Sequence, residues 1–167
     1  MKLLARLVFL AVVLALGVWL WMRLFPSPEK VIRTRLTEVS RCASFDSGEG
    51  AVARFANVSE LTGYFMPDAK LYLDGELSGV RRISLTGRDE IGAAAVMARN
   101  QLSSVKVRFV DINVTLGADR QTATADLTAR VAARGDDNFY VGELLFILRK
   151  TNGLWMVSSV EPVKVLR

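Results

Sequence analysis

Side chains able to move protons or act as nucleophiles set the first limits on this chain. It has no histidine and one cysteine, Cys42. Without histidine there is no imidazole base, no Ser-His or Cys-His pair, and little basis for a transition-metal site. A lone cysteine gives neither an internal disulfide nor a cysteine-based zinc site, and in a helical pattern Cys42 reads as a small buried apolar residue. No metal, cofactor or assignable catalytic residue is expected. The carboxylates remain. Glu143 shares strand parity with Phe139, Val141, Leu145 and Ile147. Unpaired in an apolar cavity, it would hold its proton more tightly and could act as a proton shuttle. A two-residue turn at Asp136-Asp137 instead places it opposite Arg130 as a cross-strand ion pair, and a three-residue turn from Gly135 places it opposite Ala129. The first register is expected, because it also aligns an alanine row with Leu144, Phe146 and Leu148. Asp111 and Asn113 either line a pocket mouth or are solvated strand residues. Tyr64 either sends its hydroxyl into a pocket or closes the packing of helix on sheet.

The elements that would carry these groups begin after an apolar segment. Leu7 to Met22 is 16 residues without a charge, between Arg6 and Arg23. Extended to Leu3–Phe25 it makes about 34 Å of helix, enough for a hydrocarbon core of about 30 Å with the arginines at the interfaces. Trp19 and Trp21 lie at its far end, where an aromatic belt belongs. Cleavage after Ala15-Leu16-Gly17 would leave an exposed apolar N-terminus, so a retained anchor is expected over residues 1–25. Lys2 and Arg6 on the short tail favour an inner-membrane topology with the domain on the periplasmic side.

Residues 26–28 read as a stiff linker, 29–163 as one domain and 164–167 as a tail. Ser27 can cap a helix that Pro28 opens, and Ile32, Leu36, Val39 and Ala43 recur at helical spacing along it. A second helix is expected over Ala51 to Phe65, restarted at Ser59-Glu60, and a third over Gly87 to Asn100. Short strands are expected at Lys70–Leu73 and Arg81–Leu85. Longer ones are expected at Val105–Leu116, Thr122–Arg134, Phe139–Lys150 and Leu154–Val163, with Asn152-Gly153 as a two-residue hairpin turn. Val105, Val107 and Phe109 take one parity and Val110, Ile112, Val114 and Leu116 the other, which requires a bulge near Phe109-Val110. In the next strand Ala123, Ala125, Leu127, Ala129, Val131 and Ala133 share a face whose small side chains leave room for a helix or a cavity, and helix packing is expected. Trp155 reads as a core anchor beside Leu148 and the stem of Lys150.

Charge adds one exclusion. Lys2, Arg6 and Arg23 flank the apolar segment, leaving 19 of the 22 Lys and Arg against 17 Asp and Glu, a balance of +2. The cations are scattered and form no aromatic-interleaved stripe, so nucleic acid is not an expected partner.

Three stretches carry a family likeness: Leu61-Thr62-Gly63-Tyr64-Phe65-Met66-Pro67-Asp68-Ala69, Thr86-Gly87-Arg88-Asp89-Glu90-Ile91, and Asn152-Gly153-Leu154-Trp155-Met156-Val157. With helices first and one helix inserted after two short strands, the chain resembles the nuclear transport factor 2-like (NTF2-like) superfamily, which includes SnoaL-like cyclases and ketosteroid isomerase. The resemblance implies an α+β, cystatin-like cone, with helices packed on a bent antiparallel sheet and often a pocket between them. It also implies pairing through the sheet, as a homodimer or with a membrane-complex partner. The position that matches the isomerase's general base is Leu73, and Asp74 beside it is turned away. The Arg-x-Asp spacing of the epoxide hydrolase branch occurs only at Arg134-Gly135-Asp136, in a turn. Tyr64, Leu73, Asp111 and Glu143 are thus the pocket candidates. The architecture is similar to inner-membrane components of type IV secretion systems, which implies a non-catalytic binding or scaffolding module. A SnoaL-like isomerase, dehydratase or cyclase using a pocket carboxylate is the alternative.

Overall fold

The computed structural model describes residues 12–14, 16, 17, 27–73, 83–133 and 139–163, in two compact units, Met1–Val31 and Ile32–Arg167. In the first unit Val12, Val13, Leu14, Leu16 and Gly17 are helical. Among the described residues no helix is long and apolar enough to cross a membrane. The expected anchor, residues 3–25, lies largely outside them. The Lys30 N–H donates to Ser27 Oγ at 3.4 Å and Pro28 takes the first helical position of α1 (Pro28–Ala43), the capping its sequence predicts.

In the second unit α1 turns Ile32, Leu36, Val39 and Cys42 inward, and all four are buried. The next helix, α2 (Ala51–Gly63), runs through Ser59 and Glu60 without the expected break. Glu60 is held by partners outside its backbone: Arg41 Nη2 and the Tyr64 hydroxyl both donate to its Oε1. Tyr64 is the C-cap, and the chain passes directly into β1 (Phe65–Leu73). That strand begins five residues before the expected Lys70 and includes Met66-Pro67-Asp68. Pro67 cannot donate to the ladder, and the register with the neighbouring strand shifts between Phe65 and Lys70 instead of ending.

β2 (Ile83–Thr86) leads through Gly87 into α3 (Arg88–Gln101), followed by β3 (Val105–Leu116), β4 (Thr122–Ala133), β5 (Phe139–Thr151) and β6 (Leu154–Pro162). The six strands form one sheet in the order β2-β1-β6-β5-β4-β3. It is mixed, not antiparallel throughout as expected, because β1 and β6 run parallel. β1 precedes the entire β2-to-β5 excursion and returns to its partner only at the end of the chain, where local turn signals carry no information about direction.

Three irregularities bend the sheet. Val110 pairs with Thr128 and Asn113 with Asp126, so Asp111 and Ile112 together oppose Leu127. This is the expected bulge, two residues further on than the parity switch alone located it. Asp111 takes φ 53° there, a left-handed conformation Asp tolerates better than most residues. A second bulge falls at Ser158, between the Ile147–Ser159 and Leu148–Val157 pairs, and the Ser158 hydroxyl donates to the Ile147 carbonyl at 3.0 Å. It lets both Val157 and Val160 face the core. The third is the shift in β1 already noted. Between β5 and β6, Asn152 (φ 52°) and Gly153 (φ 80°) make the predicted two-residue turn.

The expected pairing of β4 with β5 is corrected. Glu143 lies opposite Thr128, and Arg130 opposite Val141. The strands slide by two residues relative to the Asp136-Asp137 turn, which lies outside the described residues. A two-residue slip preserves parity. The alanine row therefore still meets Leu148, Phe146 and Leu144 on the buried face, while the Glu143–Arg130 pairing is lost. One buried cluster joins Ala123, Ala125, Leu127 and Ala129 to Ile32, Leu36, Val39 and Cys42 of α1 and to Phe65, Leu148, Trp155, Val157 and Val160. The small side chains thus receive a helix, as their row predicts. Trp155 is buried, with Lys150 Nζ 6.0 Å from its ring.

Candidate functional site

The helices α2 and α3 differ from α1 in how little they bury. Ala51-Val52-Ala53-Arg54-Phe55-Ala56-Asn57-Val58 is apolar on all sides apart from Arg54 and Asn57, yet Leu61 is the buried residue of α2. On α3 these are Ile91 and Arg99. Val52 is 85% exposed and Phe55 78%. The start of α3 is fixed locally. Gly87, at φ 86°, donates its N–H to the Ala69 carbonyl at 2.7 Å, and Glu90 reaches back to accept the Thr86 N–H at 2.6 Å. Asp89 and Glu90 occupy the first turn, where the helix dipole favours anions.

Between the two helices lies a cleft of about 630 Å³, lined along α2 by Arg54, Phe55, Val58, Ser59 and Thr62 and along α3 by Arg88, Asp89, Gly92, Ala93, Val96, Arg99 and Asn100. The helices approach closely at Gly92, where an added Cβ would lie 3.2 Å from Thr62 Cγ2. A smaller polar cavity of about 230 Å³, lined by Phe45, Asp46, Ser47, Leu102 and Ser103, shares Arg54, Arg99 and Asn100 with the cleft.

Arg99 is the structural pivot of this region. It is 7% exposed, donates from Nη2 to the Cys42 carbonyl at 2.6 Å and from Nη1 to Ala95 at 3.3 Å, and stacks 5.0 Å from the Phe45 ring. Its Nε stands 3.7 Å from Glu49 Oε2, too far for a hydrogen bond, and both atoms are buried without one. Burial pulls the guanidinium below its ordinary pKa while Glu49 opposes the shift. Asn57 Nδ2 donates to Glu49 Oε1, and Arg54 Nε donates to the Glu49 carbonyl at 2.9 Å. The loop before α2 is thus tied to both helices through one carboxylate.

The sequence candidates lie elsewhere. Tyr64 is half-buried at the end of α2, its hydroxyl donating to Glu60 at 2.9 Å and its ring 5.2 Å from the Arg35 guanidinium. Burial and the Glu60 carboxylate push its pKa up to about 12. Of its two readings, closure of helix on sheet matches this geometry. Leu73 ends β1, half-buried against the core and paired with Ile83. Asp111 and Glu143 are exposed. None of the four lines either cavity. Sequence reasoning did not pick out Arg54, Phe55 or Arg99. The available signal was the all-round apolar start of α2, which a helix shows when it is buried or meets something else.

No protein-family model matches the chain, and no curated protein matches it. Solved structures do. The fold is that of the nuclear transport factor 2-like, cystatin-like class, α+β with helices on a curved mixed sheet. The chain is similar to a nuclear transport factor 2-like protein with a cystatin-like fold from Novosphingobium aromaticivorans, at 17% identity and TM-score 0.62 over 89% of this chain and 86% of that one. It is similar to a protein of the same organism provisionally named a scytalone dehydratase, at 12% identity and TM-score 0.61, covering 81% and 83%. A chain of the yeast deubiquitinase Ubp3 and Bre5 cofactor complex matches at 14% identity and TM-score 0.61, covering 83% and 99%. At these identities the likeness establishes the fold alone.

Proposed function

We propose that this chain is a non-catalytic binding or scaffolding module, held at an inner membrane through residues 3–25 with its domain on the periplasmic side, and paired through its sheet. One observation carries the reading: the space between α1 and the sheet is occupied by packed side chains. Phe65, Phe146, Leu148, Trp155 and Val157 are all at most 5% exposed there. On the opposite face Leu145, Ile147 and Met156 form a half-buried apolar patch beside Val141, with Asp126, Arg130, Glu143 and Arg149 around it. An apolar centre with a charged rim is the composition of a pairing surface.

The detergent-solubilised chain should sediment as a dimer that Ile147→Arg converts to monomer with its circular dichroism unchanged. A wild-type monomer at all concentrations overturns the pairing. Membranes washed in alkaline carbonate should retain the chain; its release into the wash overturns the tether. A second reading, a SnoaL-like isomerase or dehydratase, rests on the left-handed Asp111 at its bulge, since irregular backbone gathers at catalytic sites. Turnover of a small cyclic ketone or hydroxyl compound that Asp111→Asn abolishes would favour it.

A further inference from the structure

We propose that the α2–α3 cleft binds a small amphipathic anion, an aliphatic body ending in a carboxylate or phosphate. The site needs neither the membrane tether nor the sheet pairing. Its volume, about 630 Å³, falls in the range of small-molecule sites. Its middle is aliphatic: Val58 on one side, Ala93 and Val96 on the other, closed where Thr62 packs against Gly92. Phe55 lines the cleft while 78% exposed, so a ligand lying in the trough removes apolar surface of its own and of Phe55 from water together.

The charges give the ligand a direction. At one end Arg88 donates from Nε and Nη2 to the Phe65 carbonyl, with Asp89 beside it in the lining. At the other end Arg99 is paired with Glu49. Arg54 is different. It uses Nε on the Glu49 carbonyl, and among the described residues no carboxylate forms an ion pair with it. Arg54 and Asn100 line both the cleft and the smaller polar cavity. A guanidinium edge matches the paired oxygens of a carboxylate or phosphate, whereas a hydroxyl accepts one weaker hydrogen bond there and a cationic head is repelled. The head therefore belongs at Arg54 and the body along Val58 and Ala93.

The test uses the full chain in neutral-lipid nanodiscs, photolabelled with a diazirine-bearing decanoate and mapped by mass spectrometry. Labels should fall on α2 and α3. Competition by decanoate or decyl phosphate should be at least about tenfold stronger than by decanol or decylammonium, the weight of one charge-assisted hydrogen bond. The ratio of decanoate to decyl phosphate then tells the two heads apart. Arg54→Gln should remove that preference, Arg54→Lys should keep part of it, and Ala93→Phe should block labelling by filling the trough. Arg149→Gln, on the opposite sheet face, should change nothing. Labels spread over both faces, equal competition by decanol, or labelling that survives Ala93→Phe would overturn the proposal. So would a wild-type chain that excludes the label because copies pair through Phe55, seen as dimers that Phe55→Ser separates.

Discussion

α1 and the α2–α3 pair pack against the same domain by opposite means. α1 presents Ile32, Leu36 and Cys42 at 0% exposure and Val39 at 3%, and sends Arg35 Nη1 to the Trp155 carbonyl at 2.8 Å, so its burial is dense and its cation well placed. α2 buries Leu61, leaves Val52 and Phe55 in solvent, and is braced through a loop carboxylate whose ion pair to Arg99 is stretched to 3.7 Å. The first helix supplies stability and little accessible chemistry. The second pair supplies an open cleft, free donors and apolar surface, features that weaken a fold and serve recognition.

The contrast is broken most directly in the two apolar stripes. Leu36→Ala removes a side chain packed on all sides and should cost about 3–4 kcal/mol, transfer and cavity together. Phe55→Ala deletes more atoms, but from solvent, and should change stability by less than about 0.5 kcal/mol. Urea unfolding followed by far-ultraviolet circular dichroism measures both. Equal costs would mean that α2 is as much a core helix as α1.

Buried polar groups give the next largest effect. Arg99→Met keeps the apolar stem but leaves the Glu49 carboxylate facing no cation and the Cys42 carbonyl without its donor. The expected loss is about 2–4 kcal/mol, since removing one partner of a buried pair strands the other. Adding Glu49→Gln should return part of that loss, because it removes the stranded charge. A double variant no better than Arg99→Met would place the cost in the lost carbonyl contact instead.

Where sequence was informative, the physics was local. The Ile32, Leu36, Val39 stripe, the bulge demanded by a parity switch and the Asn152-Gly153 turn all depend on residues within a few positions of one another, and each is present. The direction of β1 relative to β6 depends on pairing between segments far apart in sequence, and the two-residue slide of β5 against β4 on a turn length that alternation leaves open; both departed from expectation. The slide is instructive, because parity alone decided which face Leu144, Phe146 and Leu148 would take and could not decide which residue Glu143 would meet. The cleft was least legible. Arg99 reads as an ordinary basic residue in the last turn of a helix, and nothing near it in sequence announces Glu49 or Cys42 as its partners.

The smallest expected effect lies on the seam where the two regions meet. Arg41 of α1 donates from Nε to Glu38 and from Nη2 to Glu60 of α2, both at 2.6 Å, and Tyr64 completes the group. Arg41 first, then Tyr64, holds the Glu60 carboxyl below its ordinary pKa. A depressed folded value means that the contribution is present above the unfolded carboxylate pKa of ~4.3 and is lost as pH falls through the folded value. The magnitude is limited, because the Arg41 and Glu60 side chains are 52% and 43% exposed and water and salt screen them. Glu60→Gln should therefore cost about 0–0.5 kcal/mol at neutral pH in low salt, and less in 1 M sodium chloride. Wild type and variant should converge as the carboxyl protonates. Urea midpoints on a pH and salt grid measure this. A loss above about 1.5 kcal/mol that salt does not reduce would show the seam behaving as buried structure, and would erase the division between a stabilising helix and a recognising pair.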